Sequence, residues 1–401
     1  MNVLIRSSER ISSIPFSSIR EIFEEANKME KSGIEITHME IGRPDFDTPQ
    51  HIKDAAIAAL QQGHVHYTSN SGTIEFREAI AEKLKRDNGI TVNPADEIVV
   101  TVGCKEAIFN LIFAFVNPGD EVIIPDPSWL EYQYIVKLAG GVPVAVPLLE
   151  ENNFILNPYD VKKNITNRTK LLLINSPHNP TGAVLPKETV SELAKLAIKH
   201  DLLVVSDEIY EKIIYDQEKH ISIATMPGMF ERTVTVNGFA KAYAMDGWRL
   251  GYAAGPAELV KLILKVHQYN TSSATSFAQF GGAEAYRGPQ SFVEEMVESF
   301  DERRRFLVQS LSQMPGVTCV EPKGAFYVFP SFKETGIPSN ELAGILLREA
   351  LIACVPGSAF GEYGEGYIRM AYSTSLEKIE EAMTRMYPVM QNLMQRSTLS
   401  K

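Results

Sequence analysis

Between about His51 and Tyr286, short apolar runs alternate with stretches in which apolar residues recur every three or four positions. EIVVTV (97–102), EVIIP (121–125), PVAVPL (143–148), KLLLINS (170–176), LLVVSDE (202–208) and TVTVNG (233–238) read as strands. Several are apolar almost throughout, the pattern of strands covered on both faces. Helical patterns such as Thr189 to Lys199 separate most of them, which predicts an α/β fold with a mainly parallel sheet. Ser18 to Lys31 predicts an amphipathic helix with Ile19, Ile22, Phe23, Ala26 and Met29 on one side and Gly33 ending it. The dozen residues before it lack helical periodicity and read as an arm. After Gly288 the texture changes. Long helices (Ser291 to Met314 and Asn340 to Ala353) flank short strands near FYVFP and YIRMAYS, the pattern of a smaller α+β domain.

A chain of 401 residues is long for a single small core. The expected division is 1–45 for the arm and the first part of a small domain, 46–288 for a large domain, and 289–401 for the rest of the small domain. Apolar residues make up 44% and charged residues 22%, ordinary for a globular protein, and the net charge of -11 argues against binding nucleic acid. Cys104, Cys319 and Cys354 are dispersed and odd in number, so neither a disulfide framework nor a zinc ribbon is expected, and no metal site is. The N-terminus shows no signal-peptide pattern, and no run of about 20 apolar residues is present to span a membrane. The chain is expected to be cytoplasmic.

Four segments carry candidate chemistry. Asn237-Gly-Phe-Ala-Lys241 through Arg249-Leu-Gly-Tyr follows a strand directly and puts a lysine and an arginine eight residues apart on one loop. The C-terminal ends of strands are where open α/β sheets bind ligands. If a lysine there were partly desolvated, its pKa would fall from about 10.4 and its amine would become nucleophilic, as a Schiff base requires. Against this stands the ordinary alternative of two solvated cations. Ser206-Asp207-Glu208-Ile209-Tyr210 ends a buried strand, and a buried acid needs a partner. Facing a protonated pyridine about 4 Å away, such an acid would gain about 4 kcal/mol at an effective dielectric near 20. Asp207 and Glu208 are both candidates, and the plain alternative is a helix cap. Asn175-Ser-Pro-His-Asn179-Pro-Thr-Gly182 ends another strand in a turn that presents side-chain amides. Thr101-Val-Gly103-Cys104-Lys105 links a strand to a helix, so its amides and helix dipole point at an anion, although glycine turns at helix starts are common.

Taken in order, strand–GCKEA–helix, PDPSW, NSPHNPTG, SDEIY, NGFAKAYAMDGWRLGY and GYIRMAY resemble the class I/II aminotransferases, the fold-type I pyridoxal-phosphate enzymes of the aspartate aminotransferase family. The resemblance runs from about Gly42 to Arg369. It implies a large domain with a mainly parallel seven-stranded sheet between helices and a smaller α+β domain. It implies that Lys241 holds pyridoxal 5'-phosphate as a Schiff base and shuttles the proton at the substrate α-carbon. By the same likeness Asp207 pairs with the pyridine nitrogen, Asn179 and Tyr210 bond the ring hydroxyl, and Trp129 stacks on the ring. The N–H groups of Gly103 and Cys104, with Arg249 and Lys105, hold the phosphate, and Tyr67 reaches the phosphate of another subunit. Arg369 binds the substrate α-carboxylate as a bidentate fork, assisted by Gly42 and Asn175. Shared sites imply a homodimer.

The likeness has departures. Many relatives carry serines where this chain has Gly238 and Ala240, so one or two phosphate hydrogen bonds are expected to be missing. The expected reaction moves an amino group from an L-amino acid to a 2-oxo acid such as 2-oxoglutarate in amino acid metabolism. An acidic substrate needs a cation. His267 to Thr275 offers no arginine, whereas Lys105 does offer a charge, with Ser17 or Ser18 as helpers. Aspartate-type specificity is favoured, with an aromatic or broad enzyme as the alternative and a pyridoxal-phosphate lyase as another. A regulator built on this fold would need a DNA-binding domain ahead of residue 16. A nicotinamide dehydrogenase would need GxGxxG where TVGCKEA stands.

Overall fold

The valine-, isoleucine- and leucine-rich runs fold as strands because both faces of the sheet they form are covered. The computed structural model of the chain describes residues 7–12, 14–16 and 18–399. Among these residues the main sheet has seven strands. Their order across the sheet is Ile98–Thr101, Gly251–Ala254, Thr233–Gly238, Leu203–Asp207, Thr169–Asn175, Glu121–Asp126 and Val142–Pro147. Six are the expected runs. Gly251–Ala254 is the seventh and runs antiparallel to both neighbours, whereas the other pairs are parallel.

The alternation within KLLLIN shows why no polar face was visible. Leu171 and Leu173 pack with Ile108, Leu111 and Ile263, while Leu172 and Ile174 pack with Val190, Leu193 and Ala197 on the other side. Each side chain buried this way contributes about 1.5–3 kcal/mol. The helix Gly103–Phe115 supplies the first layer and Lys187–Lys199 the second.

A second, smaller unit of structure surrounds an antiparallel sheet of Val355–Pro356, Ile368–Ala371 and Tyr327–Val328. Helices Ser291–Ser312, Ser339–Glu349 and Leu376–Leu399 enclose a core that includes Leu307, Leu346, Met370 and Met386. The last helix had no counterpart in the strand-and-helix reading. The expected helix 340–353 is too long. It stops at Glu349, Leu351 turns with a φ of 57°, and Ile352–Ala353 becomes a strand paired in parallel with Thr37–His38. The apolar pattern continues through 353, but the backbone hydrogen bonds of that stretch go to another strand. The helix Ser18–Lys31 appears as expected, with Ala26 packed against Leu347 and Ala353. Glu9–Ser12 forms a single helical turn within the expected arm. Ser17, and the side chain of Ser18, lie outside the described residues. No helix among the described residues is long and apolar enough to cross a membrane.

Candidate active site

Parallel strands that end at one level bring their last residues together. Asn175 pairs in register with Asp207, and Asp207 with Val236 on the strand that leads to Lys241. Beyond these ends lies a cavity of about 470 Å³. Gly42, Gly103, Cys104, Lys105, Trp129, Asn175, Asn179, Asp207, Tyr210, Lys241, Arg249 and Arg369 line it. The residues that the resemblance assigns to cofactor and α-carboxylate, Tyr67 apart, thus converge on one space. Glu40, Glu131, Tyr132, Ile209, Ala240 and Tyr327 line it too.

The two acids that burial alone left open, and of which the resemblance favoured Asp207, have different surroundings. Asp207 faces the cavity, while Glu208 turns the other way into a buried network. Glu208 accepts hydrogen bonds from Ser206 and Ser222 and lies 2.9 Å from His220 Nε2. Asp207 accepts the Tyr132 hydroxyl at 2.7 Å on Oδ2 and the Ile209 N–H at 3.2 Å on Oδ1. The bond to Ile209 is the cap-like contact of the alternative reading. Burial pushes the Asp207 carboxyl up to about 6 in spite of these bonds.

The helix Gly103–Phe115 begins at the same cavity, with no side-chain cap from Val102. A Cβ on Gly103 would lie 2.7 Å from Arg249 Nη2, and Gly103 has a φ of +76°. Glycine here lets the guanidinium lie against the first amides of the helix, a cradle for an anion. Arg249 itself is anchored through Nη1 to the carbonyl of Asp246 at 2.8 Å.

Arg369 is 2% exposed and donates to the Glu40 carbonyl and, at 3.3 Å, to Asn179 Oδ1. Its Nε is buried with no hydrogen-bond partner among the described residues. Its guanidinium lies 4.6 Å from the Tyr327 ring centroid. Burial lowers its pKa, so a bound carboxylate would be a favourable companion. Lys241 Nζ donates to the Gly42 carbonyl and lies 5.8 Å from the Tyr210 ring centroid. Tyr210 and Tyr327 share a hydrogen bond of 2.9 Å between their hydroxyls. A Cβ on Gly42 would collide with the Tyr327 hydroxyl, which explains glycine at that wall.

Some expected participants are otherwise engaged. Asn175 donates to the Asp207 carbonyl and accepts from the Asn179 N–H, so its amide ties the two strand ends together. Lys105 Nζ pairs with Glu131 Oε1 at 2.6 Å and lies 5.6 Å from the Trp129 ring centroid. Trp129 meets Tyr132 edge-on at 5.1 Å. Tyr67 is 90% exposed and borders a separate hollow with Ser273, Thr275 and Phe277. Gly238 shows why no serine stands there. A Cβ would lie 2.9 Å from both Cys104 Sγ and the Leu250 carbonyl.

Tyr132, Tyr327 and Glu131 were missed. Buried tyrosines in apolar stretches read as core, and the only hint for Tyr132 was its place just after PDPSW. A phosphorylated pyridine suits this cavity on two counts. Gly103, Cys104 and Arg249 form an anion cradle in its wall, and the same cavity is lined by a buried carboxyl, Asp207, with no cationic partner in contact among the described residues.

The model of the family described as aminotransferase class I and II matches residues 34–386. An aspartate aminotransferase of Pyrococcus abyssi is 49% identical over 96% of this chain and 98% of its own length. Aromatic-amino-acid aminotransferase 2 of Thermococcus litoralis is 46% identical, with 96% of this chain and 98% of that protein covered. Among solved structures, the aspartate aminotransferase of Thermus thermophilus with maleate superposes with a TM-score of 0.92 at 42% identity, covering 96% of this chain and all of that one (100%).

Proposed function

Since the chain belongs to the class I and II aminotransferases and is a pyridoxal-phosphate-dependent transaminase, we propose that it moves the amino group of L-aspartate to 2-oxoglutarate and back. The observation that carries the acidic specificity is the run of aspartate aminotransferases among its near-full-length relatives, at 42–49% identity. A dicarboxylate, maleate, in the matching Thermus thermophilus structure points the same way. The second reading, an aromatic enzyme, is favoured by the Thermococcus litoralis relative. Initial rates with L-aspartate and L-phenylalanine, each with 2-oxoglutarate, separate the two. The aspartate reading requires the higher kcat/KM with aspartate, and a clear preference for phenylalanine removes it.

Pyridoxal phosphate, when bound, supplies an electron-withdrawing ring that accepts the electron pair left as the substrate Cα–H bond breaks. The chain's own groups do the rest. Lys241 Nζ anchors the cofactor and moves the proton at the substrate Cα. Asp207, oriented by Tyr132, keeps the ring nitrogen protonated. The first amides of the helix Gly103–Phe115 and the Arg249 guanidinium hold the phosphate. Trp129 covers the ring, and Asn179 and Tyr210 bond its hydroxyl. Arg369 grips the α-carboxylate, with Gly42 shaping the wall and Asn175 fixing the loop that carries Asn179.

In this proposal the chain divides into 1–45, 46–288 and 289–401. The site takes Gly42 from the first part, Lys241 from the second and Arg369 from the third. A cytoplasmic homodimer completes the picture. The exposed ring of Tyr67, away from its own chain's cavity, is suited to a second copy's phosphate.

A further inference from the structure

Four cationic side chains line the cavity: Lys105, Lys241, Arg249 and Arg369. In the proposed reaction the last three are committed to the cofactor, its phosphate and the α-carboxylate. That leaves Lys105 for a substrate's second carboxylate, yet Lys105 already has a carboxylate. Glu131 Oε1 lies 2.6 Å from its Nζ, and both residues line the same cavity beside Trp129. The other lining acids are placed elsewhere. Asp207 lies under the Tyr132 hydroxyl, and Glu40 accepts from His38.

We propose that Glu131 is a specificity-determining residue, a built-in competitor that occupies Lys105 until an acidic substrate side chain displaces it. The proposal rests on the aspartate-type reading of this cavity. An apolar or aromatic side chain meets a neutral ion pair and the Trp129 face. An acidic one exchanges with Glu131 for the ammonium and must tolerate the displaced carboxylate nearby. The exchange is within reach because the pair is partly solvated, with side chains 53% and 29% exposed, and such pairs are weak. The device would let one cavity accept both substrate classes, at some loss of preference for the acidic one.

Glu131 also opens the helix Glu131–Leu138, where an acid favours the dipole. That role affects stability and is indifferent to the substrate, so the test reads a ratio of substrates. The holoenzyme and its Glu131→Gln, Lys105→Gln and double variants are compared in kcat and KM for L-aspartate and L-phenylalanine. The expected result is an aspartate/phenylalanine ratio of kcat/KM about three- to tenfold higher in Glu131→Gln, carried mainly by KM for aspartate. Lys105→Gln lowers the ratio, and the Glu131 effect vanishes in the double variant. An unchanged or lower ratio in Glu131→Gln overturns the proposal, as does a rise that persists without Lys105. A wild type that uses phenylalanine alone removes the aspartate reading separately. The Glu131 proposal then still requires Glu131→Gln to gain aspartate activity, and fails without that gain.

Discussion

Replacing Asp207 by asparagine should make the cofactor-free protein more stable while disabling the enzyme. The carboxyl is 4% exposed, and burial raises its pKa from 3.8 to about 6. Keeping it ionised at pH 7 therefore costs the folded state about 3 kcal/mol. Asparagine removes that charge but offers one acceptor where Asp207 offers two, to Ile209 N–H and to the Tyr132 hydroxyl. Leaving one of these imperfectly paired costs about 1 kcal/mol, so the net gain is about 2 kcal/mol at pH 7. The sign with pH follows from a raised folded-state pKa. The stability Asp207 contributes is full below 3.8 and lost as pH rises through about 6. The effect of Asp207→Asn thus turns from slightly unfavourable at pH 4 to its full advantage at pH 7. Denaturant unfolding of both cofactor-free proteins across that range, at one protein concentration, measures it. With pyridoxal phosphate the order reverses, because the wild-type carboxylate gains a cationic ring nitrogen and the variant does not. A loss of that pair, about 4 kcal/mol, predicts kcat/KM about a thousandfold lower. A pH-independent stability difference, or a cofactor-free variant no more stable than wild type, would refute the reasoning.

Arg369→Lys keeps the charge and loses the planar fork, so kcat/KM should fall about a hundredfold or more, with KM for the amino acid rising in steady-state assays. Gly238→Ser should destabilise the protein by about 1–3 kcal/mol in denaturant melts, because its Cβ meets Cys104 Sγ and the Leu250 carbonyl. Adding Cys104→Ala should restore part of the loss, since only the sulfur contact is relieved. His220→Gln should cost about 1–3 kcal/mol by breaking the buried pair with Glu208 in a network that also holds Lys83, Asn88, Glu211 and Ser222. Glu208 sits below its ordinary 4.5 and His220 above its ordinary 6.5, each partner overcoming burial. The pair's contribution is therefore present between those values. It fades as pH rises through the raised His220 pKa or falls through the lowered Glu208 pKa, so the His220→Gln deficit should be larger at pH 6 than at pH 8.5.

The sheet was legible because six strands announce themselves by short runs of apolar and β-branched residues, and strand ends in a parallel sheet meet by geometry. That is why Asn175, Asp207 and Lys241 share a cavity although they are distant in sequence. The choice between Asp207 and Glu208 was not legible from burial, since both are buried. Asp207 is the last residue of its strand and Glu208 the first beyond it, and only their partners in the fold tell them apart: Tyr132 for Asp207, and Ser206, Ser222 and His220 for Glu208. The aromatic lining was hidden for a related reason. Tyr132 and Tyr327 sit among apolar neighbours and look like core until their hydroxyls are seen on Asp207 and Tyr210. The ion pair between Lys105 and Glu131 joins two segments whose contact depends on how two helices leave the sheet, which no local pattern records. The overrun of the helix 340–353 has the same origin, because Ile352 and Ala353 are apolar in either state and the partner strand at Thr37 decides. Gly238 read as a lost hydrogen bond, whereas in the fold Cys104 fills that space.

The central claim is that Lys241 carries the cofactor and the proton transfer in this cavity. The most direct test is the visible absorption spectrum of the purified protein with pyridoxal phosphate, beside Lys241→Ala. The account predicts an imine band in the wild type that is lost on adding L-aspartate and restored by 2-oxoglutarate. In Lys241→Ala the protein-linked band is missing and no cycle follows. A wild type without that band after loading with the cofactor, or a Lys241→Ala variant that still cycles, would contradict it.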